Sequence, residues 1–235
     1  MLKRVTRAKT FEFTLLSSLA FVFLSALAMA FYQGGTQTNH QSRGYAFLIN
    51  FFSDLGRTRA YSGAPNTVSA PLFAMALALV GLALASFFVA FAGLFWTNLF
   101  SRTGAALGAI AGIVAGASFI GVALTPANLN SPLHTTFVSW AFRAFLLAVL
   151  PFAVVILNQN HYPKAGAWVF VAFALFLMAY LALSSYGPSP RSPSGLMIHA
   201  TGQKLIVYAS VICVGAQAIL ARAFLRRQNA QFHKK

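Results

Sequence analysis

Residues 104–124 read Gly-Ala-Ala-Leu-Gly-Ala-Ile-Ala-Gly-Ile-Val-Ala-Gly-Ala-Ser-Phe-Ile-Gly-Val-Ala-Leu, without a charge or a proline. As a helix rising 1.5 Å per residue the stretch reaches about 30 Å, the thickness of a bilayer's hydrocarbon core. Its apolar residues run on without the strict alternation a membrane strand needs, and a helix satisfies its own backbone polar groups. Gly104, Gly108, Gly112 and Gly116 recur every fourth residue. That spacing lays four small residues along one stripe, where another backbone can approach closely. The stripe is expected either to pack inside a helix bundle or to receive a protein partner or second copy at this third span.

Working outward, five more apolar runs are long enough to cross: 13–32 and 68–96 before this one, then 135–157, 166–186 and 199–221. Pro71 falls near the start of its run, where a helix tolerates proline. Hydrophobic residues make up 58% of the chain, charged residues 8%, and the mean hydropathy is +0.71. These values belong to an integral membrane protein. The expected fold is all-α: one polytopic bundle over 1–235, with six transmembrane helices and no second domain.

A net charge of +15 in a soluble chain points to nucleic acid, but here position decides its meaning. Lys3, Arg4, Arg7 and Lys9, then Arg102, Lys164, and Arg222, Arg226, Arg227, Lys234 and Lys235 all fall on one side of six spans. They are eleven of the seventeen Lys and Arg residues. The other side holds Arg43, Arg57, Arg59 and Arg191. Positive-inside bias therefore places both termini in the cytoplasm and excludes a nucleic-acid partner. The expected location is a bacterial or archaeal cytoplasmic membrane, with lipids as partners. Ala28-Met29-Ala30 resembles a signal-peptidase site and is read as part of an uncleaved first span. Cys213 is the lone cysteine, a small hydrophobe within the last span, so no intrachain disulfide forms.

The first outer loop, about 34–66, is too long for a plain connector. Within it, 45–57 reads as a short amphipathic segment that packs on or dips into the membrane face of the protein; written as a helix, it sets Asn50, Asp54 and Arg57 at i, i+4 and i+7 on one seam. Asp54 is one of only two acids; the other, Glu12, sits at the cytoplasmic edge near the basic tail.

Polar residues collect toward the outer side: Asn50, Asp54, Arg57, His134, Arg143, His199, Gln203 and Lys204. Arg143 lies about 13 Å below His134 along a helix, near mid-bilayer, where a cation needs a partner or water. Lys204 can reach up to the surface. Three cations against one acid leave room for an anionic lipid headgroup or similar ligand, and binding rather than catalysis is the leading reading. A second reading is a membrane-embedded hydrolase or lipid-modifying enzyme using Asp54, His134 and His199, by acid-base chemistry or as the three ligands of a catalytic metal such as zinc, with Ser53 assisting. No metal-ligand spacing supports it, so no metal or other cofactor is assigned. A third is an accessory subunit of a larger membrane complex. His40, His161 and His233 read as solvated, the chargeless fifth span reads as packing material, and the spans lack the interior acids a proton carrier uses.

The blocks Asn50-Phe51-Phe52-Ser53-Asp54-Leu55-Gly56, Ser69-Ala70-Pro71-Leu72-Phe73, Thr125-Pro126 with His134, and Gly202-Gln203-Lys204-Leu205-Ile206-Val207-Tyr208 follow one another across nearly the whole chain. In order and spacing they resemble the bacterial and archaeal membrane family known as domain of unknown function 998. The resemblance implies six spans and draws attention to Asp54 and His134, but implies no reaction. The family's last block carries an acid and a basic residue after its glycine. Here Gln203-Lys204 stands in that place, so a role resting on that acid does not carry over.

Overall fold

A computed structural model describes residues 2–232. Six helices carry the chain: α1 Leu2–Ala30, α2 Ser69–Ala92, α3 Leu99–Leu124, α4 Ser131–Leu157, α5 Lys164–Tyr186 and α6 Pro193–Phe232. Each is long and apolar enough to cross a membrane, so the protein is a multi-pass membrane protein. The described residues form no strand, only an isolated bridge between Arg59 and Pro65.

The helices close into a ring. Each packs against its neighbours in sequence, and α6 returns to pack on α1. The core at the inner half is aromatic. Phe91 lies 5.0 Å from Phe152 edge-on and Phe88 stacks on Phe152 at 5.7 Å, with Phe87, Phe95, Phe170 and Tyr162 around them. Such pairs add about 0.5–1.5 kcal/mol each beyond the apolar burial itself.

The glycine stripe of α3 is used inside this ring. A Cβ on Gly108 would stand 2.5 Å from the Phe152 ring of α4, and one on Gly112 would stand 2.2 Å from the Phe88 ring of α2. A Cβ on Gly116 would lie 2.4 Å from the Gly81 carbonyl oxygen, and Gly104 faces Val155 and the Pro151 carbonyl. With α2 and α4 filling it, the stripe serves packing inside the bundle, the first of its two expected uses. Gly116→Ala is expected to lower stability by about 1–3 kcal/mol, because the obstacle is backbone and the two helices must separate. Gly215→Ala, whose Cβ would find only Leu15 at 4.0 Å, is expected to raise it by about 0.4–1 kcal/mol. Thermal unfolding of the two variants in detergent checks the contrast.

The third and fourth helices begin ahead of their expected spans, each at a polar cap. Asn98 accepts from the Ser101 amide and starts α3; Asn130 does the same for Leu133 and α4. Lys164 donates to the carbonyls of Ile156, Leu157 and Gln159, closing the C-terminus of α4 with a cation. Gln159 donates to Thr97 and Ser101, tying the two inner loops together. Glu12 meets Arg222 at 3.7 Å, a partly exposed pair worth little in stability. These contacts join the start of α1, the α2–α3 and α4–α5 loops and the end of α6 at one basic face, which the positive-inside rule assigns to the cytoplasm. His233, Lys234 and Lys235 lie outside the described residues, as do the side chains of Lys3 and Arg4.

At the opposite, outer face the amphipathic segment expected over 45–57 does not run as one helix. A turn at 47–49 leads into a 3-10 helix, Phe52–Gly56. The reason lies in two short polar side chains that bind backbone in place of a helical ladder. Asn50 Oδ1 accepts from the Ala46 amide, and Asp54 Oδ2 accepts from the Phe51 amide. The 3-10 helix buries Phe52 and Leu55 against α1, α2 and α6, capping the ring. Gly35 lets the loop fold over this cap: its φ is +83°, and a Cβ there would stand 2.3 Å from the Ser62 amide.

Candidate functional site: an outer polar cleft

Asn50 is fully buried and organises the outer loop. Its Nδ2 donates to the Gly35 carbonyl and to Asp54 Oδ2, both at 3.0 Å. Its own carbonyl accepts from the Tyr45 hydroxyl at 3.1 Å and from Lys204 Nζ. Lys204, 1% exposed, also donates to the Ala200 carbonyl and sits among the rings of Tyr45, Phe47 and Phe52. A buried ammonium is thus held by two carbonyls and three aromatic faces, with Asp54 as the nearest acid through the Asn50 link. Lys204 reaches outward, but its donors serve the loop and it does not line the cleft.

The cleft itself has a volume of about 590 Å³ and lies between this loop and the outer ends of α4, α5 and α6. Asp54, Arg57, His134, His199 and Gln203 line it. Asp54 is only 4% exposed, and Oδ2 takes both of its hydrogen bonds, which leaves Oδ1 to the cleft. Burial pushes its carboxyl up to about 6, against the Asn50 and Phe51 hydrogen bonds and the charges of Arg57 and Lys204. Arg57 does not pair with Asp54; its guanidinium lies 4.0 Å from the Tyr61 ring centroid and its Nε donates to the Arg59 carbonyl. Gln203 Oε1 accepts from the Phe52 amide at 2.8 Å, fixing the loop to α6.

His134 carries the clearest chemical signal. Its Nδ1 lies 2.6 Å from the Thr125 carbonyl, which can only accept, so in the neutral ring Nδ1 bears the proton. Nε2 then presents a lone pair; it is buried and has no hydrogen-bond partner, and the residue is 7% exposed. An orphaned buried polar atom costs about 1–3 kcal/mol, and one kept in a native cleft wall takes a partner from outside the chain, a water or a ligand group.

The arrangement corrects two expectations and bears on the alternative reading. Arg143 does not reach the cleft; it is exposed on the outer surface of α4, among Trp140, Leu147 and Leu150. Nine residues at about 100° each make two and a half turns, so a residue nine beyond the inward-facing His134 points to lipid. The cluster of three cations is likewise not assembled: with Lys204 under the loop and Arg143 behind the helix, Arg57 is the cation left at the cleft. Nor do Asp54, His134 and His199 form a metal centre. No group of three metal-ligating residues stands together among the described residues. His199 Nε2 faces the Pro188 carbonyl at 2.8 Å, while His134 and Asp54 each keep one atom, Nε2 and Oδ1, without a hydrogen bond.

The cleft also contains residues absent from the set that the sequence marks. Tyr180, Ser184 and Ser185 bring α5 to the site, with the Tyr180 hydroxyl beside Gln203. Lack of charge makes this span read as packing material. The signal that finds it is a polar i, i+4 step, Tyr180 to Ser184, at its outer end. His40 stacks on Tyr61, and His161 lies against Phe95 and Phe224 at the inner end, both outside this site.

The ring and its cleft define a six-span membrane protein with a polar site at the outer boundary. No family model, curated protein or solved structure matches the chain.

Proposed function

We propose that the protein binds the headgroup of a membrane lipid in this cleft, taking a phosphoryl group at Arg57 and a headgroup hydroxyl or ammonium at Asp54 Oδ1 and His134 Nε2. The observation that carries the reading is the buried, unpartnered Nε2 of His134 in the cleft wall. A single cation beside a carboxylate does not favour ligands by charge alone. Two acceptors, one of them on a side chain locked by Thr125, favour a ligand that donates. Binding is favoured over metal-assisted hydrolysis because Asp54, His134 and His199 do not stand together as a metal-binding group among the described residues. We also propose that the chain belongs to the domain of unknown function 998 family, on the blocks quoted above, and that its membrane is the cytoplasmic membrane of a bacterium or archaeon.

Native mass spectrometry of the gently solubilised protein tests the reading with three phospholipids of identical chains. Phosphatidylglycerol and phosphatidylethanolamine carry headgroup donors; phosphatidylcholine carries none. The expected result is retention of the first two over the third, with the preference lost in His134→Ala and weakened in Arg57→Gln. Equal retention of phosphatidylcholine overturns the proposal. One zinc per chain in the same sample, lost in His134→Ala, favours the hydrolase instead.

A further inference from the structure

A second cavity lies at the centre of the ring, directly beneath the 3-10 cap. Its wall comes from α1, α2, α3, α4 and α6 and is almost wholly apolar, with Phe52, Leu84, Phe145 and Val214 among its residues. The centres of water-sized spheres occupy about 60 Å³ of it, space for several waters by size alone. The wall gives water little to hold: of its three hydroxyl-bearing residues, Thr14 and Ser210 bond to carbonyls one turn back on their own helices, at 2.9 and 2.8 Å, which leaves Ser18 alone. A dry cavity of this kind takes apolar guests.

Two helix faces connect this pit to the polar cleft. On α4, His134 and Val138 line the cleft and Phe145 lines the pit; on α6, Gln203 lines the cleft and Val207, Ser210 and Val214 line the pit. Steps of three, four and seven residues keep each series on one side of its helix. Both series descend eleven residues, about 16 Å, from the polar end to the apolar end. Phe52 stands at the junction. Its amide donates to Gln203 at the cleft, while its ring, against Phe21, Phe73 and Tyr208, roofs the pit. We infer that the pit receives one hydrocarbon chain of the lipid whose headgroup occupies the cleft, with the Phe52 ring turning aside to admit it. This inference rests on the headgroup reading for the ligand's polar end, and adds that a linear chain is threaded into the centre of the bundle and not left in the surrounding bilayer. The fully buried Phe87 and Phe88 stand one turn beyond Leu84 on the same helix.

The test uses the full-length protein in phosphatidylcholine vesicles containing phosphatidylglycerol with a photoreactive diazirine at the end of one chain. After irradiation, labelled residues are mapped by mass spectrometry. The expected labels fall on Leu84, Phe145 and Val214. Ala83→Leu, which fills the pit, should reduce that labelling several-fold while raising the melting temperature, and Leu84→Ala, which widens it, should increase the labelling. Labels confined to lipid-facing residues such as Leu82 and Ile212, unchanged in either variant, overturn the inference. Running the same probe chain on phosphatidylcholine separates the two readings. Pit labelling regardless of headgroup keeps the chain site and removes the headgroup reading. Headgroup preference without pit labelling does the reverse. Competition by chain-free glycerol phosphate at equal concentration also counts against the chain site.

Discussion

Asn50→Ala is expected to destabilise the protein by about 3–5 kcal/mol, seen as a fall in melting temperature of roughly 10 °C in detergent. The side chain is fully buried and makes three hydrogen bonds: to the Gly35 carbonyl, fifteen residues back, and to the Ala46 amide and Asp54 Oδ2, four residues to either side. Truncation leaves the first two without this partner and removes one of the two donors that hold the Asp54 carboxylate. Each orphaned buried group costs about 1–3 kcal/mol, more where charge is involved. A residue of similar polarity at the surface gives the control: Arg43→Ala, exposed in the same loop, should change stability by no more than about 0.5 kcal/mol. A loss below about 1 kcal/mol in Asn50→Ala, the low end for one orphaned group, would mean that water enters the loop and that Asn50 is not its organising residue.

How far the sequence foretells this site follows from the kind of information each residue needs. Six spans and their orientation rest on hydropathy and the placement of basic residues, which are local properties, and the six helices form as expected. The period of the α3 glycines is equally local; what fills the stripe is not, because Phe88, Gly81 and Phe152 arrive from α2 and α4. Arg143 shows that depth and direction are separate questions on one helix. The 1.5 Å rise gives its depth, but the 100° turn applied to the same nine residues puts it on the opposite face from His134. Lys204 shows the converse: its depth is readable, but the carbonyl of Asn50 that holds it lies 154 residues away. The 45–57 segment fits a helical period, and only the competing side-chain to backbone bonds of Asn50 and Asp54 make it a turn and a 3-10 helix. Those bonds use residue types known to compete with helices, so the period by itself is too weak a guide there.

Asp54→Asn is expected to separate stability from binding. The folded-state carboxyl titrates near 6 and its ordinary value is 3.8, with burial the largest cause. A group whose folded value is raised contributes stability that is fully present below its ordinary value and is lost as pH rises through the folded one. A rise from 3.8 to about 6 corresponds to about 3 kcal/mol between those limits. The wild type should therefore lose stability across the window from about pH 4 to 6, and the asparagine variant should show no such slope and should melt higher at about pH 7.5. The amide oxygen can take the place of Oδ2, accepting from the Asn50 side chain and the Phe51 amide as before. Its NH2 then occupies the position of Oδ1, and the cleft is offered a donor where it had an acceptor. A headgroup that donates meets a second donor there, so retention of phosphatidylglycerol in native mass spectra should fall at least about tenfold, the equivalent of losing one charge-assisted hydrogen bond. A variant that melts higher and still retains the lipid would show that Asp54 supports the loop alone, leaving His134 as the acceptor in the cleft. A variant that melts lower at neutral pH would show that the carboxylate is held by Lys204 and Arg57 more strongly than burial opposes it.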